Sequence, residues 1–240
     1  MDPLTVAAAS GMRSRLESLD LLANNIANAS TSGFKADGEF YSLYSSADAS
    51  ADIAQLPMIQ KRWTDFSQGT LTQTGSPLDV ALYGKGFFAA SVPDGRLYTR
   101  NGSFRLSTAG QLQTQEGYPV LGADNKPIQL DPSQTVEIDR DGTIHQGGET
   151  VARLAVMEFP DLDALSKRGN TYYSLDPSAL PARPAVSTEV RQRAIENANE
   201  QPAQGAVRLV GVLRQFEMLQ RAATLGSTMN KQAIEEVAKV

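Results

Sequence analysis

A heptad-patterned helix at each end of the chain limits the folds open to it more than any other feature. Near the start, Ala9, Met12, Leu16, Leu19, Ala23 and Ile26 recur at spacings of three and four, which draws an apolar seam along a helix. That helix is expected over residues 2–29. It runs through Asn24, Asn25 and Asn28 and ends near Ser30-Thr31-Ser32-Gly33, where glycine offers the backbone freedom of a helix exit. At the far end Leu209, Val212, Phe216, Leu219, Ala223, Gly226, Asn230, Ala233, Val237 and Val240 keep one heptad register. Ala223 and Gly226 admit a neighbouring backbone, and Asn230 is a polar seam position able to fix register. Each helix would be roughly 40–50 Å long. Taken singly, each reads as an ordinary amphipathic surface helix. Together, flanking a β-rich middle, they read as an assembly element. The helix through Leu16 and Leu19 is expected to pack on the helix through Phe216 and Leu219, within or between copies.

The middle changes period. Residues 36–62 are rich in Ser, Ala and Asp, with Phe40, Tyr41 and Tyr44 clustered early. They read either as a connector docked by its aromatics or as a flexible linker. From Trp63 to about Phe159 short alternating runs take over, among them Leu78-Val80-Leu82, Phe87 to Val92 and Arg96 to Arg100, with Pro93-Asp94-Gly95 as a hairpin turn. Val151 to Phe159 is expected as the longest strand, Leu162 to Arg168 as one helical turn, and Thr188 to Ile195 as a last returning strand. The fold class that follows is α+β: long terminal helices pairing as a coiled-coil-like element, around a central all-β domain of sandwich or barrel-like form. The expected division is 1–35 plus 205–240 as a discontinuous helical assembly domain, 36–62 as connector, 63–199 as β core and 200–204 as return linker. Pro202 bars a continuous helix through that linker.

Composition removes several function classes. A formal net charge of −5 argues against a nucleic-acid-binding face. The chain has no cysteine and one histidine, His145, so thiolate chemistry and a histidine metal cluster are excluded. No run approaches the roughly 18 apolar residues of a membrane span, so no direct membrane insertion is expected. Met1-Asp2 lacks the basic start of a secretory signal. Gly84-Lys85-Gly86 leads into Phe87-Phe88, not into a phosphate-binding loop. Asp139-Arg140-Asp141-Gly142 fails calcium-loop spacing and reads as a turn. His145 has Asp139 and Asp141 nearby, but no pattern nominates a nucleophile. Glu235-Glu236 reads as a solvated helix face. No catalytic, cofactor-binding or metal residue is assigned, and no cofactor is expected.

Ala23-Asn24-Asn25-Ile26-Ala27-Asn28, followed by Thr31, Gly33, Phe34 and Lys35, resembles the N-terminal signature of bacterial flagellar rod and hook proteins. The middle is similar to the same family in order: Leu78-Asp79-Val80-Ala81-Leu82, then Gly84-Lys85-Gly86-Phe87-Phe88, then Tyr98-Thr99-Arg100-Asn101-Gly102-Ser103-Phe104. Ala198 stands where the family often has serine, and Ser107-Thr108-Ala109 lack the usual acid before Gly110. The resemblance implies a structural subunit of the basal-body rod, not an enzyme, polymerising through its terminal helices with copies of itself and neighbouring rod proteins. It implies passage through the flagellar type III export apparatus without a cleaved signal peptide, and a rod position in the cell envelope. The family motif positions would be Thr31, Gly33, Phe34, Lys35, Gly84, Gly86, Phe87, Phe88, Tyr98, Arg100, Gly102 and Phe104. The assembly interface would be Met12, Leu16, Leu19, Ala23, Asn25, Ile26 and Asn28 with Leu209, Val212, Phe216, Leu219 and Ala223. The opening residues and length lean toward a proximal-rod subunit, with a distal-rod subunit as the alternative. A β-domain binding or adhesion module oligomerised by its helices is the reading from another class. Unpartnered seams would leave the termini unfolded until assembly.

Overall fold

The structure, a computed structural model, describes residues 3–45 and 55–237, with side chains described for 7–40, 62–232, 234 and 235. Val240 and residues 46–54 therefore lie outside the described residues, as do the side chains of Tyr41, Tyr44, Ala233 and Val237. Two helices bracket a β-rich centre: α1 (Pro3–Ala27) and α2 (Pro202–Val237). A proline opens each, at a position where its missing N–H costs no helix bond. Pro202 thus starts the helix inside the segment expected to be a linker.

The chain divides into two compact units. One combines both helices with a ribbon, and the other takes Asn28–Ala36 and Phe66–Asn199. In the first, β1 (Asp37–Ser45) pairs antiparallel with β2 (Gln55–Thr64), from Asp37↔Thr64 to Ser45↔Gln55, with a bulge after Phe40. The stretch read as a connector is thus a long ribbon among its described residues. Composition concealed it, because the Ser, Ala and Asp richness is concentrated in 45–52, whereas the flanks carry Phe40, Leu43, Leu56, Met58 and Trp63. Phe40 stacks on Trp63 at 5.8 Å, and Gly38 leaves room for the indole, which a Cβ would approach to 2.6 Å.

The second unit carries short strands in chain order: β3 (Leu71–Gln73), β4 (Val80–Tyr83), β5 (Phe87–Val92), β6 (Gly95–Thr99), β7 (Arg105–Leu106), β8 (Leu112–Gln113), β9 (Val136–Ile138), β10 (Thr143–Gln146), β11 (Glu149–Arg153), β12 (Val156–Glu158), β13 (Leu165–Arg168), β14 (Tyr172–Leu175), β15 (Arg183–Pro184), β16 (Glu189–Gln192) and β17 (Ala194–Glu196). They form a six-stranded sheet ordered β13-β14-β6-β5-β12-β15, a three-stranded sheet β11-β10-β9, and the pairs β16-β4, β17-β3 and β7-β8. Strand β5 divides two cores. Successive side chains on a strand face opposite ways, so Phe88 joins Val80, Leu82, Phe104 and Leu112, while Phe87 and Ala89 join Tyr98, Phe159 and Tyr173.

Three sequence expectations change here. Val151 to Phe159 is not one strand. It is β11 and β12, broken at Leu154-Ala155, where the backbone bonds to Gly142 and Leu121 instead. The turn of helix expected over Leu162 to Arg168 is largely edge strand β13, paired from Leu165↔Leu175 to Arg168↔Tyr172; pairing with β14 overrides a weak local preference. The returning strand breaks at Arg193, whose φ is 58°, so β16 and β17 serve different partners.

Burial, then donation of its hydroxyl to Glu116, holds the Tyr172 phenol well above the ordinary tyrosine range. The folded state keeps a proton that the unfolded chain releases near pH 10 or so. Stability present below that pH is therefore lost as pH rises beyond it. Tyr172→Phe should flatten the alkaline decline in urea-unfolding free energy, and an unchanged slope would count against this account. Phe34 and Lys35 are fully buried in the second unit, so a fragment of residues 63–199 should melt cooperatively but below a fragment of residues 28–199. Restoring one buried aromatic of about 3 kcal/mol predicts a Tm difference of roughly 6–12 °C, read by calorimetry.

Candidate functional site

The motif around Gly33-Phe34-Lys35 resolves into one buried polar clamp. Glu196, at the end of β17, accepts from Lys35 Nζ at 2.6 Å, from the Gly69 N–H at 2.9 Å and from Arg100 Nη1 at 3.3 Å. All three charged side chains are essentially inaccessible. Lys35 Nζ also donates to the Ser67 carbonyl at 2.6 Å, and Arg100 Nη2 to the Gly84 carbonyl at 2.7 Å. Burial draws the Arg100 guanidinium pKa down from its ordinary value, and the charge of Glu196 opposes that shift. The Glu196 carbonyl accepts from the Gly33 N–H at 2.7 Å. Asn199 receives the Ala36 N–H at 2.8 Å, and Lys167 lies over the Phe34 ring at 4.2 Å.

This geometry explains the motif residue by residue. Gly33 has φ 69°, and a Cβ there would lie 2.3 Å from the Asn101 nitrogen. Gly102 has the Val80 carbonyl oxygen 1.7 Å from where a Cβ would be. Gly84 presents its carbonyl to Arg100, and Gly86 has no room because Val156 would be 2.9 Å away. Phe87 lies under Arg100 at 5.1 Å; Phe88 and Phe104 meet edge to face at 5.0 Å. Tyr98 packs on Phe159 at 4.7 Å. Thr31 closes the turn after α1 through the Asn28 carbonyl and side chain.

The helix residues divide differently. In the first unit α1 and α2 run antiparallel. A Cβ on Gly11 would touch Leu219 at 3.1 Å, and one on Gly205 would touch Ile26 at 2.9 Å. Along α2 the less exposed positions are Gly205, Leu209, Val212, Phe216, Leu219, Ala222, Ala223 and Gly226; they include the expected seam from Leu209 to Gly226, whereas Asn230, expected as a polar seam position, is exposed. Along α1 Met12, Leu19 and Ile26 are half-buried, but Leu16 is 50% exposed and Ala23 is exposed. The α1 seam is thus wider than one partner covers, and its Leu16 edge is left outward. The two helices meet within one chain.

Asn25 has a different task from the seam. Its amide donates to the Asp37 carbonyl at 2.8 Å and accepts the Asp37 N–H at 3.0 Å, which docks the ribbon on α1. Ser18 adds a bond to Glu39 at 2.7 Å. Sequence reasoning missed Gly11, Glu196 and the ribbon. Glu196 was detectable as an acid at an inward position of the alternating Ala194-Ile195-Glu196 strand; Gly11 gave no signal beyond a glycine inside a helix.

His145 bonds Asp139 at 3.0 Å and Thr150 at 3.3 Å on the β10–β11 hairpin. Asp139 and Gly142 close a turn. Among the described residues no group of three His, Asp or Glu side chains could hold a metal ion, and no helix is long and apolar enough to cross a membrane.

Two sequence families match. Residues 7–35 fit the family described as flagella basal body rod protein, and residues 81–146 the flagellar hook protein FlgE/F/G D1 domain. Matches to individual proteins span most of the chain. It is 31% identical to the flagellar basal-body rod protein FlgF of Caulobacter vibrioides, covering 92% of each chain. It is 33% identical to FlgF of Rhizobium meliloti over 83% of each. Against FlgG of Buchnera aphidicola subsp. Schizaphis graminum the identity is 29%, over 95% of this chain and 97% of that one.

Two substitutions test the site. Glu196→Gln leaves two buried cations without their anion and should cost about 3–5 kcal/mol in urea unfolding. Lys35→Met, which leaves Glu196 paired with Arg100, should cost less; the reverse order would refute the clamp. Phe216→Ala should lower the stability of the helical pair by about 1–3 kcal/mol, less than a fully buried Phe. Far-UV circular dichroism should show this as early helix loss, with the β-core transition unmoved.

Proposed function

The chain belongs to the flagellar basal-body rod protein family and is FlgF-like, and from that premise we propose that it builds the proximal rod through the outward faces of its helical pair. It is a structural subunit, not an enzyme, and rod proteins of this family are part of the basal body. A rod transmits torque, which calls for stiff elements overlapping along the axis and for a rigid block that resists shear. In this reading α1 and α2 form a coiled-coil-like stiff element, using Met12, Leu19, Ile26, Leu209, Val212, Phe216, Leu219 and Ala223 within the chain. Leu16 and Ala23 are kept for neighbours. The β core of 63–199, sandwich-like around β5, forms the rigid block. The partners are further copies and adjacent rod proteins. The chain reaches the cell envelope through the flagellar type III export apparatus, without a cleaved signal and without inserting in the membrane.

The observation that carries this reading is the half-covered seam of α1, whose Leu16 edge remains exposed after α2 is in place. A distal-rod position is the second reading, favoured by the FlgG similarity over nearly the whole chain. Electron micrographs of basal bodies from a deletion strain decide between them. Loss of the rod at its inner end supports the proximal position, and rods that stop at the outer end support the distal one. Intact rods would reject both. His145→Ala should leave swimming unchanged, because the His145 hairpin carries no chemistry in this reading. Lost motility in a variant that still folds and is still exported would refute the purely structural role.

A further inference from the structure

Helix α2 has a second apolar stripe, on the side away from α1. Met218, Leu225 and Met229 recur at helical spacing and are 60%, 64% and 66% exposed. They lie roughly 120–180° around the helix from Phe216 and Ala223 at 100° per residue. Exposed Arg214 and Arg221 flank the stripe, and neither makes an ion pair among the described residues. The outward face of α1 is smaller: Ala9, Ala23 and Ala27 around the single Leu16, with exposed Asp20 and Arg13 beside it. One face is large and basic at its flank; the other is built around alanine and carries Asp20, while its Arg13 is held in an ion pair to Glu17. Helices approach most closely where large side chains meet small ones, and an apolar stripe this long on a soluble chain marks an interaction surface.

Helix lengths add a second constraint. Within the chain Gly11 sits beside Leu219 and Ile26 beside Gly205. At that register α2 runs about ten residues, or roughly 15 Å, past the start of α1. Among the described side chains Gly226 is the last buried position of the seam, and Ile234 beyond it is exposed.

We propose that the outward face of α1 from a second copy packs antiparallel on the Met218–Leu225–Met229 stripe of α2, with Asp20 against Arg221 and Leu16 against Leu225. Ala23 then meets Met218, and Met12 lies level with Met229. This register differs from the one inside the chain by about ten residues, a stagger of roughly 15 Å. It also brings Pro3 level with the end of α2 at Val237, so the incoming helix covers the overhang that the chain's own α1 leaves bare. The contact joins different faces of the two copies, so it is heterologous and propagates as an open array. This deepens the rod-subunit reading and rests on it.

The absence of cysteine from the chain allows a clean test. A double variant, Leu16→Cys with Leu225→Cys, is expressed in a strain lacking the native gene, and purified basal bodies are oxidised. The expected result is a dimer and higher multiples of the 25.8 kDa chain on a non-reducing gel. The out-of-register pair Leu16→Cys with Arg214→Cys should stay monomeric. Incorporated chains that give no multimers, or the two pairs crosslinking equally, would overturn the register. Absence of the unaltered chain from basal bodies would instead overturn the rod assignment beneath it. Should the double cysteine variant fail to incorporate, charge reversal decides: Asp20→Arg should abolish swimming and Asp20→Arg with Arg221→Asp should restore it. Failure of that rescue would reject the proposed contact.

Discussion

The second unit depends on one anion. Glu196 collects Lys35, Arg100 and the Gly69 N–H around a single buried carboxylate. Removing two cations and an anion from water is costly, and their mutual attraction offsets it only when geometry and further hydrogen bonds are good. Here the Ser67 and Gly84 carbonyls add two further bonds, while Arg100 Nε is left without a partner. Such a cluster adds little net stability over an apolar core of equal volume, but it tolerates only one arrangement. The chain passes between its two units beside residues 28, 36, 66 and 199. Lys35, Ala36, Ser67, Glu196 and Asn199 all belong to the clamp, so three of these four passages are tied at one place in the β core. Moving any of these residues away from the clamp would break a buried ion pair or orphan a buried polar group within the second unit.

The β core beyond the clamp is held by neighbours facing opposite ways. Phe87 and Phe88 enter separate cores from the same strand, so a one-residue slip of β5 would exchange both. Gly102 fixes the approach of the Tyr98–Phe104 segment to β4, because the Val80 carbonyl occupies the space of a side chain. That pairing of a two-sided aromatic strand with close backbone approaches makes the block resistant to shear without long strands. Edge strands are guarded as well: β13 carries Lys167 and Arg168, and β15 ends in Pro184, both poor templates for unwanted pairing.

Much of this was legible in the sequence where one period and one partner decide the outcome. The α2 seam, the Pro93-Asp94 hairpin, β5 and the tight glycines follow from spacing and turn chemistry. The resemblance pointed to Lys35 and Arg100 but not to their common partner, because Glu196 is 161 residues from Lys35 in the chain and nothing local reports a buried ion pair. The ribbon was missed because its polar middle diluted its strands. The broken Val151–Phe159 run was missed because periodicity cannot tell one strand from two that serve different sheets.

The α1 seam shows where periodicity stops being informative. A helix with apolar residues at Met12, Leu16, Leu19, Ala23 and Ile26 satisfies the pattern for one partner, yet the stripe is wide enough for two. The chain's own α2 takes the Met12–Leu19–Ile26 side, with Gly11 permitting the approach, and Asn25 turns a third side to the ribbon. What remains outward is Ala9, Ala23 and Ala27 around Leu16, with Arg13, Asp20 and Asn24 among them. A subunit that met its neighbours through large exposed apolar residues on both helices would risk indiscriminate association before it reached its site. Restricting bulk to one helix and small residues to the other makes each face a poor partner for itself and a good one for its complement. Like faces leave gaps or clash, and only unlike faces close-pack.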